Sequence, residues 1–281
     1  MFDALFTTTT EYKKLSHALS GKGACALFGL PASGRAQVYA ALCRQLDKPL
    51  CIVTPGEAEA TRFAADLNTL GIPAAVFPAR DYVLRPIEGT AREYEYRRLA
   101  VLGELVGGRL RAVAVPAEAL TQFTTPKEDF CANTRTLHAG DTLLRDDLLA
   151  ALFGAGYTRR AQVDGPGQFS VRGDIVDIFA PDQKMPVRME FWGDEIDTLH
   201  TFDLTTQRRE DAIDKFYLSP AREVLFGKPA DAAEQLRAFL AKQRGKKKTA
   251  MADCMAADLD LLDGGCLLYT SPSPRDRSVS R

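Results

Sequence analysis

An eight-residue segment near the N-terminus has the spacing of a phosphate-binding loop. It reads Gly-Leu-Pro-Ala-Ser-Gly-Arg-Ala from Gly29 to Ala36, in the frame G-x-x-x-x-G-K-[ST]. In that motif the glycines let backbone N–H groups surround phosphates, the Lys reaches the β- and γ-phosphates, and the hydroxyl binds Mg²⁺. Here Gly29 and Gly34 stand in the glycine positions, but Arg35 replaces the Lys and Ala36 replaces the hydroxyl residue.

These two replacements remove the groups that nucleotide chemistry needs. Ala36 has no oxygen to bind a metal ion, and the planar guanidinium of Arg35 is a poor substitute for a compact ammonium. We therefore expect no nucleotide hydrolysis, no catalytic residue, and no bound cofactor or metal. Two interpretations of the segment stay open, since a helix N-terminus can bind an anion weakly and the loop can equally be a purely structural turn.

A second candidate site is a row of polar and aromatic side chains on one predicted strand. In the strand over 187–192, alternation places Arg188, Glu190 and Trp192 on the face opposite the apolar side chains. The same alternation in an earlier strand places Arg172 on this outer face, beside Arg188. Arginines next to an aromatic residue are typical of a protein-binding hot spot.

Two other interpretations of this row also stay open. The arginines can be solvated strand residues, with Trp192 covering a sheet edge. The row can also be a stacking face for nucleic acid, although Glu190, Asp194 and Glu195 would repel phosphate groups.

Two patterns of secondary structure position these residues. From residue 23 to 115, short apolar runs alternate with helical stripes, which is typical of parallel strands joined by helices. Beyond Cys131 the alternation stops, and turn residues separate short strands in an antiparallel pattern. The sequence therefore predicts an α/β chain with a parallel-sheet half followed by a mainly antiparallel half.

The expected elements have approximate bounds. The predicted parallel strands are 24–28, 49–53, 74–77 and 112–115, with helices over 38–46, 57–70 and 90–105. The predicted strands of the second half are 158–163, 168–172, 175–179, 187–192 and 195–202, with helices over 143–153 and 228–244.

The composition is that of an ordinary globular protein. The 281 residues are 46% hydrophobic, and 36 Lys and Arg nearly balance 37 Asp and Glu. This balance argues against DNA binding through one dominant basic face. Six cysteines without a C-x-x-C pair indicate neither a zinc site nor a disulfide framework. No apolar run approaches the roughly 20 residues that span a membrane, and the lack of a signal segment predicts a cytoplasmic location.

Two segments of the chain resemble the UvrB-type module of bacterial nucleotide excision repair. They are residues 156–179, with the string P-G-Q-F-S-V-R-G-D-I-V-D-I-F, and residues 187–197, V-R-M-E-F-W-G-D-E-I-D. UvrB and the transcription-repair coupling factor (Mfd) both carry this module. UvrB has an intact P-loop and a long hairpin that threads damaged DNA, whereas this chain has a degenerate loop and a short connection over 77–86. Both differences favour the coupling-factor family, and the resemblance covers about residues 12–225.

The resemblance implies a three-part organisation. A parallel-sheet, P-loop-like domain 1a with a degenerate nucleotide site is expected over 1–128. An inserted, mainly antiparallel α+β domain 2 is expected over 129–215, and a partial domain 1b over 216–265. Residues 266–281 resemble a non-native tail. The resemblance also implies that domain 2 binds UvrA, and the family's UvrA-contacting arginines and aromatic fall on Arg172, Arg188 and Trp192, the last where the family usually has Phe.

The expected function is a non-catalytic UvrB-homology module that recruits UvrA to stalled transcription complexes for nucleotide excision repair. RNA polymerase and duplex DNA are expected partners of the full-length parent alone, which would be an ATP-dependent DNA translocase, and no membrane partner is expected. The alternatives are a helicase-like ATPase, a UvrB damage-verification subunit, or a structural domain that autoinhibits the parent by covering its own UvrA-binding face.

Overall fold

The computed structural model describes residues 7–21, 24–46, 48–80, 93–223, 225 and 229–242, with short stretches at 252, 255–256 and 259–260. It contains two compact units, one formed by the described residues of 1–81 and 100–123 and the other by those of 82–99 and 124–281. The helices are α1 (Thr10–Ser20), α2 (Ala32–Gln45), α3 (Glu57–Thr69), α4 (Glu93–Val106), α5 (Ala117–Leu120), α6 (Lys127–Ala132), α7 (Arg145–Gly154) and α8 (Pro229–Lys242). The strands are β1 (Leu50–Thr54), β2 (Ala74–Val76), β3 (Ala112–Pro116), β4 (Arg135–His138), β5 (Thr158–Arg159), β6 (Gln168–Arg172), β7 (Ile175–Phe179), β8 (Val187–Trp192), β9 (Glu195–Phe202), β10 (Arg209–Ala212) and β11 (Lys215–Leu218).

The first unit contains a three-stranded parallel sheet in the order β1-β3-β2. Every residue of the central strand β3 is buried. Ala112 and Ala114 pack on one face with Phe63 of α3, while Val113 and Val115 belong to a second apolar cluster. A strand buried on both faces needs a continuous apolar run, and the sequence of β3 is such a run.

Three of the four predicted parallel strands are confirmed as β1, β2 and β3, and the predicted helices are confirmed as α2, α3 and the described part of α4. The predicted strand at 24–28 is wrong. These residues form no strand, and Phe28 is 88% exposed. Strand β1 lies at the edge of the three-stranded sheet and does not pair with them, so their backbone has no neighbouring strand in this sheet.

The second unit is built on a six-stranded sheet in the order β10-β9-β8-β7-β6-β5. Neighbouring strands from β6 to β10 pair antiparallel, whereas β5 pairs parallel with β6. One face of the sheet forms the main core, in which Met189 and Phe191 of β8 pack with Leu148 and Leu152 of α7. The two-stranded ribbon of β4 and β11 contributes Leu137 and Phe216 to the same core.

Four predicted strands of this half have the observed bounds, namely β6, β7, β8 and β9. The predicted strand at 158–163 is only the two-residue β5, and its parallel pairing corrects the expected antiparallel one. Strands β4, β10 and β11 were not predicted, because each has only four residues and β4 and β10 are rich in polar side chains. The α/β class is confirmed, with one parallel and two mainly antiparallel sheets among the described residues, while the three-domain division remains a prediction.

Some sequence predictions fall on residues outside the described ranges. These are positions 81–86 of the short connection, the N-terminal end of the helix predicted from residue 90, and the two ends of the helix predicted over 228–244. Most of the expected domain 1b beyond residue 242 and the tail at 266–281 also lie outside the described ranges. No helix within the described residues is long and apolar enough to cross a membrane.

Candidate functional site

The strand register brings three charged residues to one face of the six-stranded sheet. Asp177 of β7 lies directly opposite Arg188 of β8. On its other side Asp177 lies opposite Ser170 of β6, and Arg172 is two positions farther along β6 than Ser170. Residues directly opposite each other in neighbouring strands share a face. Because Val176 and Met189 point into the main core, Arg172, Asp177 and Arg188 lie on the other face.

Both arginines bond to the single carboxylate of Asp177. Arg188 is bidentate, since its Nε donates to Oδ1 at 2.7 Å and its Nη2 to Oδ2 at 3.0 Å. The Nη2 of Arg172 donates to Oδ2 at 2.6 Å, and the hydroxyl of Ser170 lies 3.5 Å from the same oxygen. Asp177 is 1% exposed. The cluster therefore carries two positive charges against one negative charge, and its charge-assisted bonds are bidentate for Arg188 and single for Arg172.

Arg188 is buried rather than presented to solvent. It is 9% exposed, its Nη1 donates to the backbone carbonyl of Gln207 at 3.2 Å, and its guanidinium carbon lies 4.7 Å from the ring centroid of Phe202. Phe202 packs with Val163 and Phe179 in a small second core on this face. The expectation that Arg188 lies on an exposed surface is therefore wrong. Alternation identified the correct face, but Phe202 and the segment of Gln207 cover that part of the face.

Arg172 and Trp192, in contrast, are open to solvent. The side chain of Arg172 is 49% exposed even though one nitrogen is bonded to Asp177, and Trp192 is 82% exposed. Trp192 ends β8 opposite Glu195, and the turn that follows contains Gly193 at a φ of +61°. Glycine adopts this left-handed conformation without the steric cost that a Cβ imposes. The indole ring of Trp192 is therefore exposed to solvent at the end of β8.

The acidic residue of the row is already paired. Glu190 forms an ion pair with Arg209 of β10, and the hydroxyl of Thr198 donates to Glu190 at 3.3 Å. The repulsion that Glu190 would exert on an approaching carboxylate is therefore reduced. The exposed groups of this face suit a protein partner that offers a carboxylate to Arg172 and an apolar pocket to Trp192. We call Arg172, Asp177, Arg188 and Trp192 the Arg/Trp face.

The segment with phosphate-loop spacing forms a turn into a helix. Gly29 has a φ of +80°, and α2 begins at Ala32. The backbone N–H groups of Gly34 and Arg35 donate to the carbonyl of Pro31 at 3.0 and 3.2 Å. In a phosphate-binding loop such amides point at the anion, whereas here they are bonded within the first helical turn.

The two replaced positions of this segment have structural contacts of their own. Ala36 is 3% exposed and belongs to the core around α2 and α3. Arg35 lies 3.9 Å from Glu59, in an exposed pair. The loop thus positions a helix against the sheet of the first unit.

Sequence reasoning missed three residues that hold the Arg/Trp face. Asp177 has a signal in the sequence, because a single charged residue between Val176 and Ile178 at the centre of an apolar strand points to a buried ion pair. Gln207 and Arg209 have no such signal, since they reach Arg188 and Glu190 through the turn after β9. Gln207 also adopts a φ of +59°, unusual for a residue with a side chain.

Comparison with known proteins agrees with the resemblance seen in the sequence. Residues 136–224 match the family described as the UvrB interaction domain. Over 79% of the present chain, it is 28% identical to the transcription-repair-coupling factor of Bacillus subtilis. Over 83% of the present chain, it is 35% identical to the coupling factor of Mycobacterium bovis. It is also 28% identical to UvrABC system protein B of Chlorobium limicola over 75% of its length.

Residues 136–224, which match the UvrB interaction domain, contain the whole Arg/Trp face. The particular resemblance, to the N-terminal UvrB-like region of transcription-repair-coupling factors, is confirmed. The chain spans 19% of the length of the two coupling factors just compared and 32% of the Chlorobium protein.

Proposed function

We propose that this chain is a non-catalytic UvrB-homology module that recruits UvrA to stalled transcription complexes for nucleotide excision repair. UvrA binding is assigned to the Arg/Trp face. The link to stalled transcription rests on the similarity to proteins named transcription-repair-coupling factors. RNA polymerase and duplex DNA are assigned as partners of the full-length parent.

One observation carries the assignment of UvrA binding. Within the residues that match the UvrB interaction domain, an 82% exposed Trp192 and a half-exposed Arg172 occupy the same face of a six-stranded sheet. Exposed aromatic and arginine side chains are the residue types that most often dominate binding energy at protein interfaces. The bond from Arg172 to Asp177 reduces the side-chain freedom that Arg172 has to lose on binding, which favours affinity.

The test is the affinity of the purified chain for purified UvrA. We expect Arg172→Ala and Trp192→Ala each to weaken binding by about 10-fold or more, the loss of one interface anchor. Added salt should weaken wild-type binding because the Arg172 contact is ionic. Arg160→Ala and Phe123→Ala are matched controls, since both residues are exposed and lie outside the Arg/Trp face, and both variants should bind like wild type. Unchanged binding by the double variant Arg172→Ala, Trp192→Ala would overturn the assignment.

We further propose that the chain has no ATPase activity. The amides of Gly34 and Arg35 are bonded within α2, and Ala36 is packed in the core, which supports this proposal. Turnover of ATP should not exceed background, and the variant Arg35→Lys, Ala36→Thr should not restore it. A turnover near 1 s⁻¹, at the low end of ordinary enzyme rates of about 1–1,000 s⁻¹, would refute the proposal.

The second candidate is a UvrB-like damage-verification subunit, favoured by the similarity to UvrABC system protein B. It predicts tight binding to damaged duplex DNA. Our proposal predicts that such binding is weak and lost at physiological salt, because the balance of 36 Lys and Arg against 37 Asp and Glu argues against one dominant basic face that would contact many phosphates. Retention of damaged duplex at sub-micromolar protein in that salt would favour the second candidate.

A further inference from the structure

The buried carboxylate of Asp177 is the common partner of both arginines on the Arg/Trp face. Arg188 directs two nitrogens to it and the third to the carbonyl of Gln207. Every nitrogen of Arg188 therefore already donates a hydrogen bond within the domain, and its side chain is 11% exposed. Arg188 has little capacity left for a partner.

Arg172 is placed differently in the same cluster. A single nitrogen, Nη2, is bonded to Asp177, and the side chain is 49% exposed. A guanidinium has five N–H donors in a fixed plane, so anchoring one nitrogen orients the remaining donors without using them. The excess positive charge of the cluster is therefore exposed at Arg172.

We propose that Asp177 is a positioning residue for partner binding, which orients the guanidinium of Arg172 toward a carboxylate of the partner. This inference rests on the proposed function of the Arg/Trp face. Asp177 itself is 1% exposed and does not reach the partner. It acts by removing rotational freedom from a long side chain before binding, and preorganisation of this kind favours affinity by reducing the entropy lost at the interface.

The proposal is tested by a double-mutant cycle on UvrA binding with Asp177→Asn and Arg172→Ala. In the wild-type background, Asp177→Asn should weaken binding by about 5- to 10-fold, comparable to losing much of one anchor. In the Arg172→Ala background, the same substitution should change the affinity by less than about 2-fold, because the residue through which it acts is gone. Loss of stability alone would give the same factor in both backgrounds. Leu148→Ala, a buried residue of α7 on the opposite face of the sheet, controls for destabilisation and should bind UvrA like wild type below its unfolding midpoint.

Asp177→Asn leaves the buried Arg188 without a full counter-ion and can fail to fold. The second comparison is therefore Arg188→Met, in which Arg172 remains the counter-ion of Asp177, against Arg188→Met with Asp177→Asn, which removes both charges of the buried pair. The variant that keeps Asp177 should bind UvrA about 5-fold more tightly than the variant that lacks it, because Asp177 then still anchors Arg172. Equal affinities would overturn the positioning role, as would an equal effect of Asp177→Asn in both backgrounds of the cycle. If Arg172→Ala itself leaves UvrA binding unchanged, the proposed docking face fails instead, so the two failures are distinguishable.

Discussion

Replacing Arg188 with Ala should destabilise the domain, whereas replacing Trp192 with Ala should not. The Arg188 substitution removes a bidentate ion pair to Asp177, a bond to the Gln207 carbonyl and a cation–π contact with Phe202. Breaking a buried pair typically costs about 3–5 kcal/mol. Arg172 remains bonded to Asp177 as a partial counter-ion, so we expect the lower end of this range, about 3 kcal/mol. Trp192 is 82% exposed, and its loss should change stability by about 0.5 kcal/mol or less.

Urea unfolding followed by circular dichroism measures both effects. With a slope of about 1.5 kcal/mol per molar urea, a loss of 3 kcal/mol lowers the midpoint by about 2 M. The slopes of the two variants should equal that of wild type, since neither change alters the surface exposed on unfolding. An Arg188→Ala midpoint within about 0.3 M of wild type, well inside the expected shift, would show that the ion pair contributes nothing. A Trp192→Ala midpoint as low as that of Arg188→Ala would show that the indole is part of the core.

Three further predictions concern the rest of the described chain. Arg98→Met should destabilise the protein by about 3–5 kcal/mol, because it leaves the Glu223 carboxylate buried without its bidentate partner. The double variant Arg98→Met, Glu223→Met should recover stability in the same urea assay. Phe191→Ala should cost about 3 kcal/mol or more, since this ring packs in the main core; an unchanged midpoint would contradict the assigned face. Burial raises the pKa of the Cys43 thiol, which lowers its thiolate fraction at a given pH. Mass spectrometry after alkylation at pH 8 should therefore find Cys43 unmodified and the exposed Cys25 alkylated. Equal labelling of the two cysteines would refute this prediction.

The antiparallel half of the chain could be predicted closely from its sequence. Strands β6, β7 and β8 have the expected bounds because each is a run of alternating or nearly continuous apolar residues, and the turn residues Gly173 and Gly193 close β6 and β8. The strand prediction at 24–28 is wrong for a different reason. An apolar run becomes a strand only where a neighbouring strand supplies hydrogen bonds and a layer covers it, and neither condition is visible in a five-residue run.

The candidate site, like the fold, was predicted only in part from the sequence. Alternation along β8 determined that Arg188 and Trp192 share a face and that Phe191 points into the core. Alternation says nothing about what covers the outer face, and only the tertiary structure decided that Phe202 and Gln207 bury Arg188 while Trp192 stays exposed.

Local sequence thus determined the elements, their faces and the replaced residues of the phosphate-loop segment, because those depend on periodicity and on residue type. Tertiary structure decided which charges meet. Arg98 and Glu223 are 125 positions apart in the chain and form a buried pair, and Asp177 joins arginines from two different strands. An ion pair forms where the fold brings charges within a few ångströms in a desolvated place, and its strength depends on that burial. Distance and burial are properties of the packed chain, so the division of the Arg/Trp face into a buried anchor and an exposed contact followed from the fold.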